Sequence, residues 1–141
     1  MAEQQGVIPH LIVNDAAGAL DFYKKALGAT EIMRMPEKDG KRLLHAEMQV
    51  NGATVFMCDA FPEHCESHTG HGAPPNALGG TTVMMHLAVA NCDDAVKRAV
   101  AAGATMVMEP WDTFWGARYG QVRDPFGHAW SFTHPLPGKT A

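Results

Sequence analysis

The chain is poor in several things that would each point to a function class. It has three cysteines (Cys58, Cys65 and Cys92), an odd and widely spaced set that does not read as a disulfide framework. Its eleven Lys and Arg against fifteen Asp and Glu leave a net charge of -4. The basic residues are scattered, with no stripe to track phosphates, which argues against a nucleic-acid partner. No apolar run approaches the roughly 18 residues of a membrane span. GxSxG is absent, no Ser or Cys has a base at motif spacing, and Gly79-Gly80 stands alone where a phosphate loop would need more. The N-terminal MAEQQGVIP lacks the basic start and apolar centre of a signal peptide, so a reducing cytoplasm is the expected location.

What is present fits one soluble globular domain over 1–141: apolar residues make up 46% and charged residues 18%, far from the disordered regime. Within it lies a repeat. PHLIVNDAAGALDFYKKALGA from Pro9 matches MHLAVANCDDAVKRAVAAGA from Met85, placing His10 on His86 and Gly28 on Gly103. QVNGATVFM over 49–57 lies over DPFGHAWSF over 124–132. Each copy predicts a strand (7–13; 81–89), an amphipathic helix, and three further strands. Asn91 with Asp94 suits an N-cap, Gly28 and Gly103 suit C-terminal stops, and Asn51-Gly52 is a strong hairpin signal. The predicted class is α+β: two tandem βαβββ modules, one over about 6–59 and one over about 81–135. The intervening 60–80 reads as an aperiodic linker.

The hairpin turn assigns faces. Pairing Val50 with Ala53, Met48 with Val55 and Ala46 with Met57 gives an apolar face for the helix. The opposite face then carries Gln49, Glu47 beside Phe56, and His45 beside Cys58, together with Ile8, His10, Thr82, Met84 and His86 from the first strands. A mixed polar and apolar surface of this kind suits a small-molecule ligand. By the same parity Trp130 and Phe132 are core, and His128 and His134 are structural. Val122 is expected at the position equivalent to Glu47.

The tandem repeat, DFYKKALGA over 21–29 and FWGARYGQVRDPFGHAWSFTH over 114–134 resemble the vicinal oxygen chelate superfamily of glyoxalase I, extradiol dioxygenases and bleomycin-resistance proteins, with a closer match to its PhnB-like branch. The resemblance implies curved mixed sheets forming a half-open barrel, helices on the convex face, a concave ligand pocket and a homodimer. Metal enzymes of the superfamily take one ligand from the first strand and one from the last strand of each module. The acid position of the last strand falls here on Phe56 and Ser131, and the first-strand histidine position falls nearer Ile8 and Met84. No cofactor is therefore expected, and the leading reading is a metal-independent small-molecule binder. The alternative is a divalent-metal lyase, isomerase or dioxygenase using His10, His86 and Glu47. Either histidine would also serve as a general base without metal.

Trp111, Phe114, Trp115, Arg118 and Tyr119 form a second cluster, read as an aromatic plug or as a pocket wall in which Arg118 fixes an anionic group. Expected ligand contacts are thus His10, Glu47, Phe56, Met84, His86, Trp115, Arg118, Tyr119 and Ser131. EHCESHTGH over 63–71 offers zinc-type donors in His64, Cys65, His68 and His71. Its place between two complete modules makes it a solvated linker, at most a flap or an adventitious metal binder.

Overall fold

The computed structural model describes residues 5–64 and 72–138. Cys65, His68 and His71, with the side chain of His64, lie outside them. Module one runs β1 (His10–Val13), α1 (Ala16–Leu27), β2 (Thr30–Pro36), β3 (Leu43–Val50) and β4 (Ala53–Asp59). A short helix α2 (Pro75–Leu78) follows. Module two repeats the order with β5 (Met84–Ala88), α3 (Cys92–Ala102), β6 (Thr105–Asp112), β7 (Ala117–Arg123) and β8 (Ala129–Pro135). Each module makes one four-stranded sheet, β1-β4-β3-β2 and β5-β8-β7-β6. The first pair in each is parallel and the rest antiparallel, and neither sheet closes on itself.

Local chemistry sets the boundaries. Asp15 caps α1 by accepting from the Gly18 amide, and Asn91 caps α3 by accepting from the Asp94 amide. Gly28 ends α1 in the left-handed conformation at φ 68°. Both first strands begin later than the pattern predicts. In β1 the cause is Pro9, which has no amide to give a ladder.

The linker also departs from expectation. Pro75 starts α2 at a position where its missing N–H costs nothing, and the turn packs against module two. A Cβ on Gly127 would sit 2.7 Å from the Pro75 Cβ, and Gly127 has φ 89°, so both space and conformation demand glycine there.

The hairpin registers are those the Asn51-Gly52 turn predicts: Val50 with Ala53, Met48 with Val55, Ala46 with Met57 and Glu47 with Phe56. One sheet face is covered by α1 or α3, which also pack on each other. Leu11, Val13, Met48, Met57, Val122, Trp130 and Phe132 are buried there with Leu20, Tyr23 and Val96 of the helices. Each such side chain contributes roughly 1.5–3 kcal/mol by leaving water.

Two sets of hydrogen bonds lock the modules together. Asp124 accepts from the Tyr23 hydroxyl of α1, from Trp130 Nε1 at 2.8 Å, and from the Phe126 and His128 amides at 2.9 and 3.0 Å. Each β-turn also reaches the other module's first strand. Asn51 Nδ2 donates to the Ala88 carbonyl at 2.7 Å, and His128 Nε2 donates to the Ile12 carbonyl at 2.9 Å. His134 Nδ1 accepts from the Cys92 amide at 2.7 Å, capping α3.

Candidate functional site

The sheet face away from the helices carries the chemistry. Strand registers align four side chains in a row across each sheet. In module one the row is His10, Phe56, Glu47 and Met33. In module two it is His86, Ser131, Gln121 and Met108. The next positions outward on the third and fourth strands are His45 beside Met35 and Tyr119 beside Trp111.

This corrects the sequence alignment. The position equivalent to Glu47 is Gln121, not Val122. The Asp124 to His128 loop is longer than the two-residue turn of module one, and it shifts β7 by one residue. Val122 therefore pairs with Trp130 and is buried beneath α3. The Asp124 carboxylate bonds inside that loop stabilise the longer turn.

In module one the His10 and His45 rings meet edge-on at 5.8 Å between centroids, and both contact Phe56, at 6.1 and 4.7 Å. His45 Nε2 lies 3.5 Å from Glu47 Oε2. Burial, and then the neighbouring His45, lower the His10 pKa and so favour its uncharged form. His45 is the residue that sequence reasoning passed over. Its signal was available in the hairpin register, which already set it two residues from Glu47 on the same face.

In module two His86 Nδ1 shares a 2.7 Å hydrogen bond with Ser131 Oγ. Ser131 is buried, so it holds the imidazole in place from below and does not itself line an open surface. The His86 and Tyr119 rings stack at 6.0 Å, and Trp115 meets Tyr119 edge-on at 6.2 Å. Gln121 donates to the Tyr119 oxygen at 2.9 Å, and the Tyr119 hydroxyl points at Met84 Sδ 3.5 Å away. A cavity of about 410 Å³ opens here, lined by His86, Trp115, Ala117, Tyr119 and Thr133. A second cavity of about 400 Å³ lies at the junction of the modules between β1 and the segment from Gly80 to Val83, with His10 and His128 in its wall.

Arg118 lies elsewhere. It makes a bidentate pair with Asp93 at 2.9 and 3.0 Å and a further bond to Asp112 at 3.0 Å. Asp93 is the larger influence and Asp112 the second, and together they raise the Arg118 pKa while Asp93 is lowered in return. A guanidinium so occupied fastens α3 to β7 and has little left for a ligand.

Among the described residues no three or more His, Cys, Asp or Glu side chains converge in a group able to hold a metal. His10 and Glu47 flank Phe56 in one sheet, and His86 belongs to the other. Phe56 and Ser131 at the superfamily's acid positions have no carboxylate to offer, so the residues present do not fit its usual metal site.

Comparison with known proteins agrees with the architecture. The family model of the Glyoxalase/Bleomycin resistance protein/Dioxygenase superfamily matches residues 7–132. The chain belongs to that superfamily. A protein from Mycobacterium tuberculosis, Rv0887c, is 49% identical over 128 residues, 91% of this chain and 73% of that protein. TioX from Micromonospora sp. ML1 shares the superfamily fold with a TM-score of 0.72 at 28% identity, over 94% of this chain and 100% of TioX. A PhnB protein from Bacillus cereus has a TM-score of 0.65 at 15% identity over 92% of this chain and 99% of its own, a likeness of fold alone.

Proposed function

We propose that this protein binds a small, largely apolar molecule in the open cavity of module two, without a metal, in the manner of bleomycin-resistance proteins and as a member of the PhnB-like branch. The observation that carries this reading is the cavity bounded by His86, Tyr119 and Trp115. Aromatic walls bury apolar ligand surface, and the Ser131-anchored His86 gives one fixed polar contact. The motif over 114–134 supports the PhnB-like assignment. The protein acts as a cytoplasmic homodimer in this reading. Support for the dimer comes from Met106, Val107, Met108, Trp111, Phe114 and Trp115, all exposed on or beside β6, where Phe114 is 91% exposed.

Native mass spectrometry with a small-metabolite panel, followed by titration of Trp fluorescence, tests the binding. Trp115→Ala is expected to weaken affinity about tenfold or more, the scale of a buried aromatic anchor. Equal affinity in the variant sinks the reading. Metal analysis on untagged protein lacking His64, His68 and His71 should find far less than one ion per chain. A near-stoichiometric divalent ion would instead support a metal enzyme. Sedimentation at micromolar concentration tests the dimer, which Phe114→Glu should dissociate.

A further inference from the structure

We propose that the open face of module one is an acid–base site: His45, backed by Glu47, removes a proton from an apolar, uncharged carbon acid, and the adjoining His10 assists. This site is separate from the module-two cavity and does not rest on ligand binding there.

The argument begins with position. Registers place His10, Phe56, Glu47 and Met33 in one row, with His45 and Met35 beside it. His45 is held from two sides, by the Phe56 ring at 4.7 Å and the His10 ring at 5.8 Å. Its Nε2 faces the Glu47 carboxylate at 3.5 Å, leaving Nδ1 as the nitrogen available to a substrate. The side chains of His45 and Glu47 remain 26% and 29% exposed, so a small molecule can reach them. A carboxylate behind an imidazole stabilises the imidazolium formed when the ring takes a proton. Glu47 acts through His45 and is a positioning residue; His45 is the catalytic one.

The neighbours select the substrate class. Phe56, Met33 and Met35 supply apolar walls, while the Glu47 carboxylate repels anions and the row contains no Lys or Arg. A cation would pair with Glu47 and disable the dyad. His10, whose ring meets His45 edge-on at 5.8 Å, can donate a ring N–H to an atom on which negative charge develops. Module two supplies an internal control. The equivalent positions hold Tyr119 for His45 and Gln121 for Glu47, joined by a neutral hydrogen bond.

The probe is 5-nitrobenzisoxazole, an uncharged carbon acid. His45 takes the proton from its C3–H bond, the bonding pair forms the nitrile, and the ring N–O bond breaks. The departing oxygen keeps the N–O bonding pair as a coloured nitrophenolate, and the proton on His45 passes to water. No oxidant or metal enters the balance. The wild-type chain is expected to exceed buffer, and His45→Gln to lose tenfold or more in kcat. Glu47→Gln should lower kcat several-fold at unchanged KM, Glu47→Asp should recover part of it, and imidazole should rescue His45→Gly. Lys97→Gln, exposed on α3, should match wild type. Diethyl pyrocarbonate provides a measurement on the unmutated chain: loss of activity should track modification of His45 by peptide mapping. A wild-type rate no higher than buffer, full activity in His45→Gln, or equal loss in Lys97→Gln would overturn the proposal. Failure of the ligand-binding reading would show instead as unchanged ligand affinity in Trp115→Ala, read by fluorescence titration and not by turnover.

Discussion

The two modules share a backbone plan and divide the chemistry. Their open faces align position by position: His10 with His86, Phe56 with Ser131, His45 with Tyr119 and Glu47 with Gln121. At two of the four positions an imidazole and a carboxylate in module one give way to a phenol and a carboxamide in module two. Module one therefore presents an imidazole–carboxylate pair among apolar rings, and module two presents a phenol–carboxamide hydrogen bond beside an aromatic cavity. Duplication keeps the geometry while each copy specialises, because side chains on an open sheet face carry little of the core's packing.

The same contrast runs through the structural bonds and gives a ranked set of tests. Asp124 of module two has four donors, one of them from α1 of module one. Asp124→Ala should cost the most, about 3–5 kcal/mol, because it leaves several buried donors unpaired. Urea denaturation measures this, and a loss below 1 kcal/mol would show that the hub is dispensable. Asp59 ends β4, His134 lies one residue before the end of β8, and each holds the first amide of a helix. Asp59 accepts from Ala16 at 2.9 Å and also from the Leu43 amide at 2.7 Å, whereas His134 accepts from Cys92 alone. Asp59→Ala should cost about 2–3 kcal/mol and His134→Ala about 1 kcal/mol. Equal losses would erase that difference between the modules.

Tyr23 links them through pH. Burial, and then Asp124, push its pKa well above the ordinary 10.0. Below pH 10 the phenol is protonated in folded and unfolded chains alike, and its contribution is fully present. Above pH 10 the unfolded chain releases the proton first, so stability falls as pH rises towards the folded value. Thermal melts from pH 9 to 11 should show this slope, and Tyr23→Phe should flatten it at a cost of about 1 kcal/mol near neutrality. The smallest effect is the most direct test of the division of labour. The double substitution Tyr119→His with Gln121→Glu copies the module-one dyad into module two. It should raise turnover of 5-nitrobenzisoxazole by about twofold, as expected for a second base of equal strength. No increase would mean that ring contacts from Phe56 and His10 matter as much as the dyad itself.

Much of this arrangement was legible in the chain. The repeat set the element order, and Asn51-Gly52 set the register of β3 on β4, because a two-residue turn fixes parity for every side chain beyond it. The same rule explains the main error. The module-two turn is longer, its length is set by Asp124 bonds invisible to alignment, and one residue of shift exchanges Val122 for Gln121. The partners of Arg118 were hidden for a different reason. Asp93 is 25 positions away in sequence, and only packing of α3 on β7 brings its carboxylate to the guanidinium. The helix at Pro75 was hidden by its own composition, since Pro-Pro and Gly-Gly on either side read as loop.

The paired turn-to-strand bonds have one more consequence. Asn51 grips the Ala88 carbonyl and His128 grips the Ile12 carbonyl, at matching places on the two modules. Neither bond depends on which polypeptide supplies the carbonyl. The connection between the modules keeps both partners in one chain. Shortening it would pass the same grips to a neighbouring molecule, and two copies would then exchange halves without changing a single bond of the clasp.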